Sequence, residues 1–186
     1  MKTYTKAELS EVLRKHKLWL GDKDGGEKAD LRYADLSYAD LSYSNLRDAD
    51  LRYADLRYAD LSYANLIYAN LIYANLIYAN LSSADLRYAN LRYANLRDAD
   101  LRYADLRSAE NFYLLPVQDP RGYLFASAML TPGGWRIIAG CRFFSVEEAR
   151  EHWGESYAGE RWIGDMYLYA CDWLEMMTAE KSEAAA

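Results

Sequence analysis

The stretch Ala29-Asp30-Leu31-Arg32-Tyr33-Ala34-Asp35-Leu36-Ser37-Tyr38 decides the fold. It opens a run in which Leu recurs at every fifth position from Leu31 to Leu106, sixteen times without a failure. Ala stands two residues before each Leu, from Ala29 to Ala104, with Ser44 as the single exception, and Asp or Asn stands one residue before it. The unit is Ala-(Asp/Asn)-Leu-X-X, with X-X most often Arg-Tyr, Ser-Tyr or Ile-Tyr, and it fills residues 29–108. A helix needs apolar spacings of three and four. A straight strand alternates its faces with period two, so an odd period would throw successive Leu residues to opposite sides. Every Leu can face inward only if the chain turns a corner once per pentapeptide. The reading is a polygonal β-solenoid with Ala and Leu inside and the other three positions in solvent. Asp and Asn suit the corners because their side chains hydrogen-bond to nearby backbone.

This unbroken run, Ala29-Asp30-Leu31-Arg32-Tyr33-Ala34-Asp35-Leu36, resembles the pentapeptide-repeat proteins, with the regularity of a consensus-like array, natural or engineered. The resemblance implies an all-β solenoid: a right-handed quadrilateral β-helix with one pentapeptide per face, four per coil and about four coils. For function it implies little, since most members have no established activity. The best understood members are DNA mimics that bind type II topoisomerases, notably DNA gyrase.

Four coils of twenty residues place residues twenty apart above one another, with strands about 4.8 Å apart and an array roughly 19 Å long. One column is then Tyr33, Tyr53, Tyr73 and Tyr93, complete from end to end. The others are Tyr38, Tyr58, Tyr78, Asp98; Tyr43, Tyr63, Ser83, Tyr103; and Asp48, Tyr68, Tyr88, Ser108. Rings repeating at that spacing should form stacked ladders. Ile67, Ile72 and Ile77 interrupt the Arg and Ser positions with a belt around one coil. The candidate interaction surface is therefore Tyr33, Tyr53, Tyr73 and Tyr93 with Ile67, Ile72 and Ile77.

The chain divides into three parts: 1–28, a capping helix and loop; 29–108, the β-helix; and 109–186, a small α+β domain. Thr5-Lys6-Ala7-Glu8 is a capping box that starts a helix, Leu9, Val12, Leu13, His16 and Leu20 form its apolar face, and Gly21 is its stop. A solenoid end exposes unpaired backbone, so a cap is physically expected there. After Ser108, strands are expected over Phe112 to Val117, Tyr123 to Leu130 and Trp135 to Ala139. Ser145-Val146-Glu147-Glu148 is a second capping box, opening a helix to about Trp153, and a longer helix is expected from Asp165 to Ala179. Gly134 to Gly154 is loosely similar to tails of some bacteriophage and bacterial proteins, which supplies no activity.

The 186 residues include 18 Tyr against 4 Phe and carry a net charge of −6, which gives no overall reason to expect binding to nucleic acid or anionic membranes. Residues 1–28 carry 7 basic and 5 acidic side chains, the array 9 Arg and 11 Asp, and the tail 6 basic and 12 acidic. Such a balanced array is a poor DNA mimic, because B-DNA carries about one charge per 1.7 Å. Cys141 and Cys171 are the only cysteines and no export signal is evident, so a cytoplasmic location is expected. No phosphate loop, His-Glu-x-x-His or Cys-x-x-Cys occurs, and no metal or cofactor is expected. Cys141 and His152, eleven residues apart, could be imagined as nucleophile and base, but a structural thiol and a helix-end imidazole account for them better. The expectation is a non-enzymatic structural or binding protein with a protein partner, existing as a monomer or small closed oligomer. The alternative is a DNA-mimic inhibitor of a type II topoisomerase.

Overall fold

The computed structural model describes residues 1–110, 112–114, 125–131, 134–139, 142–156, 168–169 and 171–172. From Asp30 onward, parallel bridges join residues twenty apart at every fifth position, from Asp30↔Asp50 to Asn90↔Glu110. Twenty residues therefore make one coil of four pentapeptide sides. The bridging runs through Glu110, two residues past the last full repeat, and Ala109 is buried like most of the array's alanines.

One unit shows how the backbone is satisfied. The Ala49 N–H donates to the Leu46 carbonyl within the turn at 3.0 Å, and the Asp50 N–H reaches Ala29 one coil back at 3.0 Å. The Leu51 and Tyr53 N–H groups reach Asn70 and Ile72 one coil on, at 2.8 and 3.0 Å. The remaining donor, the Arg52 N–H, is taken by the Asp50 side chain at 3.3 Å. All five donors have partners, as a folded backbone requires. Asp and Asn are interchangeable in this task because both present an Oδ1.

The corner lies at the fifth position. Each Ala N–H closes back on the Leu carbonyl three residues earlier, as Ala54 does on Leu51 at 3.1 Å. The residue between, from Tyr33 to Ser108, has φ between 55° and 62° in all sixteen units. Positive φ at the third residue of a four-residue turn is the sign pattern of type II, where glycine is usual. Here twelve of the sixteen are tyrosine. Inside, all sixteen Leu residues are at most 2% exposed and the alanines fill the space beside them. Burying each Leu contributes roughly 1.5–3 kcal/mol before chain entropy is subtracted.

Ahead of the array, β1 (Lys2–Thr3) pairs in parallel with β2 (Ala34–Asp35). Helix α1 (Lys6–Leu20) starts at the Thr5 capping box, in which Glu8 and Thr5 satisfy each other's backbone N–H. Tyr4, Leu9, Val12 and Leu13 pack against the buried Leu and Ala cluster. His16 is fully buried, and its Nδ1 accepts the Ala29 N–H at 3.1 Å. The returning loop crosses the helix so closely at Gly26 that a Cβ there would lie 2.6 Å from the Trp19 Cα.

In the tail, β3 (Phe112–Leu114), β4 (Phe125–Thr131), β5 (Gly134–Ala139) and β6 (Arg142–Phe144) form a four-stranded antiparallel meander in sequence order. The fourth strand is too short to show a sequence alternation and is visible only in its pairing with Ile137 to Ala139. Helix α2 (Val146–Ser156) starts at the Ser145 capping box and runs three residues beyond Trp153. Residues 168, 169, 171 and 172 are helical; the remainder of the expected 165–179 helix lies outside the described residues, as does the Cys141 position.

Candidate functional site

The left-handed corner throws each fifth side chain outward, and the bridges hold successive coils in register. Rings twenty residues apart consequently stack. In the complete column, Tyr33–Tyr53, Tyr53–Tyr73 and Tyr73–Tyr93 have ring centroids 4.9, 5.0 and 4.8 Å apart. Tyr38–Tyr58 and Tyr58–Tyr78 repeat this at 4.9 and 5.0 Å, and Tyr43–Tyr63 and Tyr68–Tyr88 at 4.9 Å. Interplanar angles lie between 2° and 17°, close to parallel. The rings remain exposed: Tyr53 and Tyr73 are 42% and 47% accessible although each has a ring above and below. Their hydroxyl edges form an ordered outer surface.

Beside the rings runs a second pattern. Arg32, Arg52, Arg57, Arg87, Arg102 and Arg107 each clasp the Asp two residues earlier through Nε and a terminal nitrogen, as in Arg57 Nε to Asp55 Oδ1 at 2.8 Å. The Arg107 guanidinium holds the Asp105 carboxyl below the usual carboxylate range, and Arg57 does the same for Asp55. At Ser37 and Ser42 the hydroxyl of the fourth residue donates to the Asp carboxylate at 2.6 and 2.7 Å. Where it is isoleucine, the preceding acceptor is Asn65, Asn70 or Asn75, never Asp. At the second position of the unit Asp stands only where the fourth residue is Arg or Ser, side chains that can donate.

The structure brings Tyr33, Tyr53, Tyr73 and Tyr93 together in one column. It does not gather Ile67, Ile72 and Ile77, which occupy three successive sides of one coil and are half-buried. Each lies between arginines of the coils before and after, as Ile72 lies between Arg52 and Arg92. His152 stands on α2, half-buried, and Cys171 is buried. Among the described residues no group of three His, Cys, Asp or Glu side chains could hold a metal ion, and no helix is long and apolar enough to cross a membrane.

Sequence reasoning missed the backbone sign at the fifth residue. A signal was present, because Asp48, Asp98, Ser83 and Ser108 share that position with the tyrosines. Short polar residues of this kind tolerate left-handed turns better than β-branched ones, and no β-branched residue occurs there.

The family model for pentapeptide repeats matches in eight copies, over residues 29–66, 64–102 and 79–110. Among solved structures, HetL from the cyanobacterium Nostoc sp. strain PCC 7120, a pentapeptide repeat protein involved in heterocyst differentiation regulation, is 39% identical. That match covers 52% of this chain and 47% of HetL, with a TM-score of 0.43. Rfr23 from Cyanothece 51142 is 44% identical over 46% of this chain and 60% of its own, and alr5209 from Nostoc PCC 7120 is 36% identical over 59% and 76%, both with a TM-score of 0.43. The chain thus spans about half the length of HetL and three-fifths of Rfr23. No curated protein matches it.

Proposed function

We propose that this chain, which belongs to the pentapeptide-repeat family of right-handed quadrilateral β-helices, is a non-enzymatic structural and binding protein that offers a rigid patterned surface to a protein partner. The observation that carries this reading is the ring stacking: seven near-parallel pairs on a backbone whose donors are satisfied coil by coil. Side chains already ordered before binding lose less entropy when a partner arrives. Tyrosine adds a large contact area with a polar rim, the character that interfaces favour. In this reading α1 caps the first coil, residues 109–186 form a separate α+β unit, and the protein acts in the cytoplasm as a monomer or small closed oligomer.

Mimicry of DNA toward a topoisomerase is the weaker reading. A duplex of the array's roughly 19 Å length would carry about eleven charges. The array's 11 Asp are set against 9 Arg, and six of those carboxylates are clasped by arginine. Affinity capture separates the possibilities. Partner recovery should fall when Tyr53 and Tyr73 are changed to Ser and persist when Ile67, Ile72 and Ile77 are changed, because only the tyrosines share a face. Equal recovery by the intact chain and the tyrosine variant would defeat the column as a binding surface, and inhibition of gyrase supercoiling at sub-micromolar protein would reverse the ranking.

A further inference from the structure

Three of the four tyrosine columns are continuous or break only at a terminal coil. The column of residues 43, 63, 83 and 103 breaks in its interior, at Ser83. The register there is fixed: the Tyr63 N–H donates to the Ser82 carbonyl at 3.0 Å and the Ser83 N–H to the Arg102 carbonyl at 2.9 Å. Ser83 has φ of 58°, matching the tyrosines, so its Cβ leaves the backbone where a ring would begin. One face of Tyr63 is covered by Tyr43 at 4.9 Å, and the other looks across Ser83 toward Tyr103. Two coil steps of 4.9 Å separate the Tyr63 and Tyr103 positions in the column by about 9.8 Å. Tyr73 occupies the equivalent space in the complete column, 5.0 Å from Tyr53 and 4.8 Å from Tyr93. Tyr103 is 70% accessible and Tyr63 56%. The neighbouring side chains leave the gap open, since Ser62 and Ser82 are short and the Arg102 guanidinium is held by Asp100 at 2.9 Å.

We propose that this gap is a binding slot for one planar aromatic ring, supplied by a Tyr, Phe or Trp side chain of a partner polypeptide. The slot rests on the protein-binding reading above and names the contact. A ring entering edge-on would stack on the open face of Tyr63 and meet the Tyr103 side chain on its other side, contacts that an aliphatic side chain cannot match. A nucleotide base would fit the gap but bring phosphate to a rim whose arginines, Arg87, Arg102 and Arg107, are already clasped by Asp85, Asp100 and Asp105. The charge at the rim therefore favours a polypeptide.

The test is a titration of the full chain, carrying ring-labelled tyrosine, with N-acetyl-tyrosinamide, N-acetyl-leucinamide and adenosine monophosphate, followed by NMR. Tyrosinamide should shift the Tyr63 and Tyr103 rings upfield with a roughly millimolar dissociation constant, and the other two probes should bind at least about tenfold more weakly. Ser83→Tyr should fill the slot, abolish those shifts and raise the thermal midpoint by about 2–4 °C, while Ser83→Ala should leave binding intact. Tyr103→Leu removes one wall and should abolish binding independently of how Ser83→Tyr folds. Shifts spread over all tyrosines, binding that survives in Ser83→Tyr or Tyr103→Leu, or adenosine monophosphate as the tightest probe would overturn the slot. Partner capture that depends on Tyr53 and Tyr73 while no probe moves Tyr63 or Tyr103 would overturn the slot alone and leave the broader reading standing.

Discussion

Asp55 shows what one residue does in this array. Its side chain is only 8% exposed, accepts the Arg57 N–H at 3.1 Å and is clasped by the Arg57 guanidinium. Asp55→Asn keeps the acceptor for the Arg57 N–H and loses the charge pairing, whereas Asp55→Ala loses both and leaves a donor unpaired. The Ala variant should cost roughly 1–3 kcal/mol in chemical unfolding and the Asn variant clearly less. Equal costs would show that the backbone contact is unimportant. The same carboxylates set the acid limit. Arginine hydrogen bonds hold Asp30, Asp55, Asp100 and Asp105 below their ordinary range, so they bind fewer protons folded than unfolded. Their contribution is present above about pH 4 and is lost as pH falls through the depressed folded values. The carboxylates' share of stability should therefore fall only below about pH 4, and a flat profile there would contradict the pairing.

At the scale of elements, α1 is joined to the first coil through a buried imidazole. His16 accepts the Ala29 N–H at Nδ1, which places the proton of the neutral ring on Nε2. That nitrogen has no hydrogen-bond partner among the described residues. Burial lowers the His16 pKa, against smaller opposing influences from the Arg47 backbone and the Asp48 carboxylate, and Lys28 adds to the lowering. The unfolded chain thus binds the proton more readily, so stability is full above about pH 6.5 and declines below it. This decline should precede the carboxylate transition and disappear in His16→Gln, which keeps an acceptor and does not titrate. Exchange of α1 amides with deuterium reports it, and identical pH dependence in both proteins would remove His16 from the account.

How much of this was legible in advance follows from which feature repeats. Burial of Leu31 to Leu106 is a consequence of a five-residue period, and the period is printed in the chain sixteen times. The twenty-residue coil, and with it the ring columns, follows from the resemblance to the pentapeptide-repeat proteins and not from the period, which fixes one corner per five residues but not the number of sides. The capping boxes at Thr5 and Ser145 were legible because their chemistry is local. The positive φ of Tyr33 and its equivalents was marked only faintly, by the Asp or Ser at four of the sixteen positions, because an aromatic residue carries no marker for left-handed backbone and glycine is the usual signal. The pairing of β6 was hidden for another reason: three residues are too few for an alternation. Of the candidate surface residues, the tyrosine column and the ring of isoleucines on three successive sides of one coil were both legible, whereas the half-burial of those isoleucines between arginines of the adjoining coils was not.

For the whole molecule, the account requires the ladders to belong to the fold and not to lie loosely upon it. Holding a residue in the left-handed region costs roughly 1–2 kcal/mol, so an array that places twelve tyrosines there must recover that cost. Turn hydrogen bonds recover part at every unit, and stacking at 4.8–5.0 Å adds to it wherever two rings meet. The most direct test is equilibrium unfolding of the double variant Tyr53→Ser, Tyr73→Ser beside Tyr53→Phe, Tyr73→Phe. The serine pair removes all three stacks of the complete column and should cost about 1.5–4.5 kcal/mol, while the phenylalanine pair keeps the rings and should match the parent chain. A serine variant whose stability stays within about 0.5 kcal/mol of the parent, the margin of an ordinary surface change, would contradict the account.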